Sequence, residues 1–131
     1  MNSVPGAKAG YGRILTFALD SSAALKIPPF GHKTAPVPIT ADKQEPQAVR
    51  EGALLYNSQC ILCHGLNAVA GSLPDLRYAS KEVLDSLQSI VLEGTRAAYG
   101  MPSFKKILTA PDVKAIRSYL IARAQESAKA P

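Results

Sequence analysis

Near the middle of the chain stands the pentapeptide Cys60-Ile61-Leu62-Cys63-His64. Because two residues separate the cysteines, one helical turn brings both thiols to the same side. The histidine follows directly, so its imidazole lies beside the thiols. The pattern therefore predicts a single site at which two sulfur atoms and one ring nitrogen bind the same group.

The spacing C-x-x-C-H is the one by which c-type haem is attached. Each thiol can bond one vinyl-derived carbon at the porphyrin edge, and His64 then ligates the iron on the proximal side. We therefore expect one haem c, bound covalently through Cys60 and Cys63.

Three alternatives fit the sequence less well. A thioredoxin-like C-x-x-C would follow a strand, whereas this motif ends an amphipathic helix. A zinc site needs about four ligands, and the only other His or Cys in the sequence is His32. A chance occurrence of the motif in an ordinary helical domain is the third alternative.

The second axial iron ligand is expected to be Met101, the only methionine besides Met1. Glycine and proline flank it in the segment 100–102 and take the backbone out of a helix, so the side chain can project from a loop. A lone methionine more often fills a gap in a core. That alternative stays open, as do His32 as the ligand and an iron that is open or bound to water.

Two further residues are candidates for supporting a haem. A metal-bound histidine normally donates its other ring N–H to an acceptor, and the carbonyl of Pro74 is the candidate acceptor for His64. Arg77 is the candidate partner of a haem propionate, because its planar guanidinium matches a carboxylate. A solvated surface charge is an equally good interpretation of Arg77.

The composition fits one globular domain, since 47% of the 131 residues are hydrophobic and 19% are charged. No apolar run reaches the roughly 18 residues that a membrane-spanning helix needs. The net charge is +5, but Lys105-Lys106 is the only adjacent basic pair, so nucleic acid is not an expected partner. A mildly basic face for an anionic partner protein remains open.

Three helices are predicted in the C-terminal two thirds of the chain. Their predicted limits are Pro46 to Gln59, Ser80 to Gly94, and Thr109 onward. Proline is favoured in the first turn, serine at the N-cap and glycine just past the end. In the last helix Asp112 can bond back to Thr109. The predicted apolar stripe of the first helix is Val49, Ala53, Leu54 and Tyr56.

Two zones precede these helices. Residues 27–46 hold five of the ten prolines, which predicts a semi-rigid extended linker. Residues 1–26 contain one strand signal, at 12–19, with alternating apolar residues. Residues 1–6 have neither the basic region nor the apolar core of a signal peptide. Either such a peptide has been removed or the chain is a piece of a longer protein, and the strand favours the second explanation.

Residues 44–126 resemble a class I cytochrome c domain. The matching helix-crossing residues are Gly52, Tyr56, Ile116 and Tyr119. Three segments match a narrower family: CILCHGLNAVAGSLPDLRY (60–78), IVLEG (90–94) and GMPSF (100–104). These resemble the C-terminal haem c domain of quinohaemoprotein alcohol dehydrogenases, in which a β-propeller holding pyrroloquinoline quinone (PQQ) precedes the cytochrome.

The resemblance implies an all-α class I cytochrome c fold, with three to four helices around one covalent haem and a short strand and linker before them. Residues 1–26 then correspond to a remnant of the propeller's closing strand, 27–46 to the linker and 47–131 to the haem domain. His64 and Met101 are the implied iron ligands.

The resemblance also implies single-electron transfer on a low-spin haem, with no substrate transformed by this chain, since the propeller and its quinone site are absent from the sequence. The implied electron donor is a PQQ dehydrogenase propeller domain, and the implied acceptor is a small soluble redox protein. Bacterial haem c is attached outside the cytoplasm, so the implied location is the periplasm. Two alternatives remain: a catalytic, peroxidase-like haem protein with an open iron site, and a freestanding diffusible cytochrome c shuttle.

Overall fold

A computed structural model of the chain describes residues 19–20, 36–70 and 73–129. The predicted strand at 12–19 lies outside the described residues except for Leu19, and the predicted linker is described only from Pro36 onward. The division into strand, linker and haem domain therefore stays a prediction.

Every regular element in the described ranges is helical, in agreement with the predicted all-α class. The α-helices are α1 (Pro46–Gln59), α2 (Ile61–His64), α3 (Lys81–Asp85) and α4 (Ala110–Lys129). Single 3-10 turns cover Leu66–Ala68, Leu76–Tyr78 and Ala97–Tyr99, and a π-helical turn covers Ser89–Glu93. The predicted limits of the first helix are confirmed.

The helices α1 and α4 cross at Gly52. A Cβ atom on Gly52 would lie 2.0 Å from the carbonyl oxygen of Ala115, so glycine is required for this close approach. One turn further along α1, the fully buried Tyr56 packs against Tyr119, with ring centroids 5.1 Å apart and an angle of 46° between the rings. The predicted crossing of the first and last helices is thus confirmed.

The predicted apolar stripe of α1 is wrong at Leu54, whose side chain is 72% exposed. Gly52 and Tyr56 are one helical turn apart and share the face toward α4. Leu54 comes halfway between them in the sequence and therefore lies on the opposite side of the helix. Val49 and Ala53 are partly buried against the core, as predicted.

The second predicted helix begins and ends where expected but is not continuous. The Ser80 hydroxyl accepts a hydrogen bond from the Val83 N–H at 3.4 Å, and Gly94 ends the helical stretch with a φ of 68°. Between them α3 ends at Asp85, and the residue that caps it, Ser86, has φ −89° and ψ 4°. The Ser89 hydroxyl donates to the Ser86 carbonyl at 2.9 Å, and such side-chain bonds compete with the regular helical pattern.

At the start of α4, both the N–H and the hydroxyl of Thr109 donate to the Asp112 carboxylate, at 2.8 and 2.6 Å. The predicted bond from Asp112 back to Thr109 is therefore confirmed. These hydrogen bonds hold the pKa of the Asp112 carboxyl below its ordinary value.

The buried core takes residues from α1, from α4 and from the segment that includes α3 and the π-helical turn. Its buried members include Leu84, Leu87, Val91, Leu108, Val113, Ile116 and Leu120. The segment before α1 is tied to the far end of α4, where the Gln125 amide donates to the carbonyls of Thr40 and Asp42 at 2.8 and 2.9 Å. Within the described ranges, no helix has the length and apolar character needed to cross a membrane.

Candidate functional site

The two cysteines lie on one turn, where α1 passes into α2. The N–H groups of Cys63 and His64 both donate to the Cys60 carbonyl, at 3.2 and 2.9 Å. This turn places the two thiols on the same side of the chain, as the spacing predicts. Cys60 is half-buried and Cys63 is exposed. Burial, with a smaller effect of Cys63, raises the pKa of the Cys60 thiol to about 11, so Cys60 is a neutral thiol near pH 7.

Directly after His64 the chain turns at Gly65, which has a φ of 73°. A Cβ atom there would lie 2.2 Å from the Val69 carbonyl oxygen. The hydroxyl of Tyr56 donates to the Gly65 carbonyl at 2.8 Å, and burial is the main cause that raises the pKa of this hydroxyl. Tyr56 therefore links the crossing of α1 and α4 to the end of the Cys-Cys-His motif.

His64 is half-buried, and its Nδ1 lies 3.5 Å from the carbonyl oxygen of Pro74. Because a carbonyl can only accept, this contact favours the tautomer that has its proton on Nδ1 and its lone pair on Nε2. Burial lowers the pKa of His64, although the contact with Pro74 partly opposes that effect. The imidazole is therefore neutral near pH 7, which is the form that binds metal ions. The structure thus brings Pro74 to His64, and its effect on a bound haem stays a prediction.

Arg77 is held by two partners. Its Nε and Nη2 donate to the two carboxylate oxygens of Asp75 at 3.0 and 2.8 Å, and its Nη1 donates to the Ser127 hydroxyl of α4 at 3.1 Å. The side chains of Arg77 and Asp75 are 18% and 4% exposed. Arg77 is therefore an ion-paired link to α4 rather than a freely solvated charge. Its contact with a haem propionate stays a prediction.

Met101 lies in an irregular loop directly after Gly100, which has a φ of 91°. The Met101 N–H donates to the Arg96 carbonyl at 3.3 Å, and the Phe104 N–H donates to the Val91 carbonyl at 2.8 Å. The first bond closes a turn within the loop, and the second fixes the end of the loop to the preceding π-helical turn. The Met101 side chain is partly buried against the core, and its role as an iron ligand stays a prediction.

The residues around the motif fit a haem. A porphyrin is a large apolar ring, and the side chains near the motif expose apolar surface, Leu62 being 94% exposed. The other exposed apolar side chains in this part of the chain are Leu66, Val69, Leu73 and Tyr78. Two thiols and a neutral imidazole are the donor set that c-type haem uses. His32, the alternative ligand, lies outside the described residues.

The hydrogen bonds of Asp75 and Ser127 to Arg77 were not predicted from the sequence. Asp75 had a local signal, because an Asp two residues before its partner commonly accepts that residue's backbone N–H, as it does from Arg77 at 3.2 Å. Ser127 had none, because it lies 50 residues from Arg77. A surface groove of about 340 Å³ between Lys43–Arg50 and α4 contains none of the candidate site residues.

Comparisons with known families and proteins lead to one group of relatives. The family model described as "Cytochrome C oxidase, cbb3-type, subunit III" matches residues 47–120. The quinohaemoprotein alcohol dehydrogenase ADH IIB of Pseudomonas putida is 38% identical over 128 residues, which is 95% of this chain and 18% of that protein. The chain therefore spans less than a fifth of the length of this relative.

Two solved structures share the fold. Quinohaemoprotein alcohol dehydrogenase ADHIIG from Pseudomonas putida HK5 is 37% identical, with a TM-score of 0.65 over 80% of this chain and 15% of that one. The enzyme from Comamonas testosteroni is 26% identical, with a TM-score of 0.61 over 82% of this chain and 15% of that one. The predicted class I cytochrome c fold and the predicted resemblance are both confirmed. The chain therefore belongs to the c-type cytochrome family, and its relatives there include the cytochrome domains of quinohaemoprotein alcohol dehydrogenases.

Proposed function

We propose that this domain transfers single electrons through one haem c that is attached to Cys60 and Cys63 and ligated by His64 and Met101. The observation that carries the proposal is the turn at residues 60–64, which joins Cys60, Cys63 and His64 and leaves the Nδ1 of His64 3.5 Å from the Pro74 carbonyl oxygen. When bound, the haem supplies an iron that changes between the ferrous and ferric states.

Each residue has a distinct task in this proposal. Cys60 and Cys63 hold the porphyrin edge, so the group cannot dissociate. His64 donates from Nδ1 to the Pro74 carbonyl, which orients the ring and raises the basicity of Nε2. The Met101 thioether stabilises ferrous iron and so raises the reduction potential. Two protein ligands in both redox states keep the rearrangement on electron transfer small and leave no coordination position for a peroxide.

The proposed electron donor is a PQQ dehydrogenase propeller, and the proposed location is the periplasm. Both proposals are supported by the resemblance to ADH IIB, a protein more than five times longer than the matched segment. In that arrangement the domain takes electrons one at a time from a reduced quinone and passes them to a small soluble redox protein.

The loop around Met101 offers a surface suited to such an acceptor. Residues 94–111 contain no Asp or Glu, and their basic residues are Arg96, Lys105 and Lys106. Tyr99 and Ile107 expose apolar surface in the same loop. Basic side chains together with exposed apolar side chains favour a partner with an acidic, partly apolar surface. We therefore propose an acceptor of that kind.

Absorption spectra of the oxidised and reduced protein, with and without carbon monoxide, test this function. Electron transfer with two protein ligands predicts a low-spin haem whose ferrous form does not bind carbon monoxide. Rapid binding of carbon monoxide by the unmutated ferrous protein would refute the ligation and favour a catalytic haem with an open iron site. Absence of any haem spectrum would refute the function itself.

A further inference from the structure

The carbonyl that faces His64 lies on an exposed loop. Leu73 and Pro74 are both exposed, and the nearest regular element is a single 3-10 turn at Leu76–Tyr78. Exposed loops are more mobile than the elements they connect. The position of the Pro74 carbonyl therefore depends on what ties the loop to the rest of the domain.

Arg77 connects this loop to the rest of the domain. Asp75, directly after Pro74, accepts hydrogen bonds from the Arg77 backbone N–H at 3.2 Å and from the guanidinium at 3.0 and 2.8 Å. The same guanidinium donates to the hydroxyl of Ser127, near the end of α4, at 3.1 Å. One planar side chain thus joins the exposed loop to the longest helix of the described ranges.

We propose that Arg77 is a positioning residue for the haem ligand His64. By binding Asp75 on one side and Ser127 on the other, it fixes the loop whose Pro74 carbonyl accepts from Nδ1. It thereby sets the basicity of the imidazole, a role that rests on the proposed function of His64 as ligand and is distinct from direct contact with a propionate.

The geometry makes the contact sensitive to small movements of the loop. The distance from Nδ1 to the Pro74 oxygen is 3.5 Å, which is longer than the ~2.7 to 3.2 Å of an ordinary N–H···O hydrogen bond, so the contact is weak at this separation. Lengthening it further weakens donation from Nδ1 and lowers the basicity of Nε2. Because a less basic imidazole stabilises ferric iron less, loss of the Arg77 contacts should raise the reduction potential. It should also expose the Nδ1 proton to solvent.

Three variants and one matched control test the proposal in the haem-loaded protein. Arg77→Lys keeps the positive charge but cannot bridge two partners with a planar fork. Ser127→Ala removes the acceptor on α4, and Ser127→Thr retains a hydroxyl there. The control is Arg117→Gln, because Arg117 also ties α4 to another segment, through the Leu84 carbonyl at 3.2 Å and Asp85 at 3.1 Å, but does not contact the loop.

The readouts are the reduction potential and the solvent exchange rate of the His64 Nδ1 proton, measured by NMR on the ferrous protein. In Arg77→Lys and Ser127→Ala the exchange should be faster by up to about tenfold, which corresponds to about 1.4 kcal/mol, the upper end of the net contribution of one hydrogen bond. The potential should rise in both variants, while Ser127→Thr and Arg117→Gln stay near the unmutated protein.

Two results would overturn the proposal. One is an unchanged exchange rate and potential in Arg77→Lys and Ser127→Ala, whatever their melting temperatures. The other is a change in Arg77→Lys with none in Ser127→Ala, which would indicate that Arg77 contacts the haem directly. Failure of the proposed function is seen separately, since it would show in the unmutated protein as a missing haem or a missing His64 ligand.

Discussion

Replacing Gly52 by alanine is expected to destabilise the domain where α1 crosses α4. The added Cβ would lie 2.0 Å from the Ala115 carbonyl oxygen, 2.5 Å from the Ala115 carbonyl carbon and 3.0 Å from the Ile116 nitrogen. All three are backbone atoms, so no change of rotamer relieves the contact. To reach ordinary van der Waals separation of about 3.5 Å, the two helices must move apart by more than about 1 Å.

The size of the effect follows from two opposing contributions. Forcing an extra methyl group into a packed contact costs about 3 kcal/mol when the neighbours cannot give way. Replacing a glycine within a helix by alanine stabilises the helix by about 1 kcal/mol. The expected net loss is therefore about 2 kcal/mol, or a fall in melting temperature of about 8 to 16 °C for a domain of this size.

Urea unfolding followed by far-ultraviolet circular dichroism measures this loss. The matched control is Asn57→Ala, an exposed position on the same helix, which should change the free energy of unfolding by no more than about 0.5 kcal/mol. If Gly52→Ala is as stable as the unmutated protein or more stable, the close approach of α1 and α4 is incorrect.

Further substitutions probe the ligand, the motif and the start of α4. Met101→Ala should keep the haem attached, lower the reduction potential and allow carbon monoxide to bind the ferrous form; an unchanged potential would mean that another group is the ligand. Tyr56→Phe should cost about 1 to 2 kcal/mol in urea unfolding, because the Gly65 carbonyl loses its donor, and a loss near zero would argue against that bond. Asp112→Ala should lower the melting temperature at pH 7 but progressively less as the pH falls. The reason is that the hydrogen bonds from Thr109 hold the pKa of Asp112 below its ordinary value, so its contribution is present above that ordinary value and is lost as the pH falls through the lowered pKa. An equal loss at pH 7 and pH 2 would contradict this assignment.

The sequence predicted well what depends on neighbouring residues. The limits of α1, the cap at Ser80 and the stop at Gly94 are local signals, and the structure confirms each of them. The turn from Cys60 to His64 is likewise contained in five residues. The all-α class and the cytochrome family followed from these signals together with the resemblance.

What the sequence did not predict depends on residues far apart in the chain. Leu54 is one of several apolar residues in α1, but the approach of α4 at Gly52 decides which face is buried. The link from Arg77 to Ser127 joins segments 50 residues apart, and neither residue carries a local sign of the other. The sequence therefore leaves Arg77 as either a propionate partner or a solvated charge.

Covalent attachment of haem is tested by the mass of the denatured protein, purified from cells that contain the haem c attachment machinery. We expect the mass of the polypeptide plus one haem for the unmutated protein and for a Leu62→Ala control within the motif. We expect the unmodified polypeptide mass when Cys60 and Cys63 are both replaced by alanine. An unmodified mass for the unmutated protein, or a retained haem in the double variant, would contradict covalent attachment through these two cysteines.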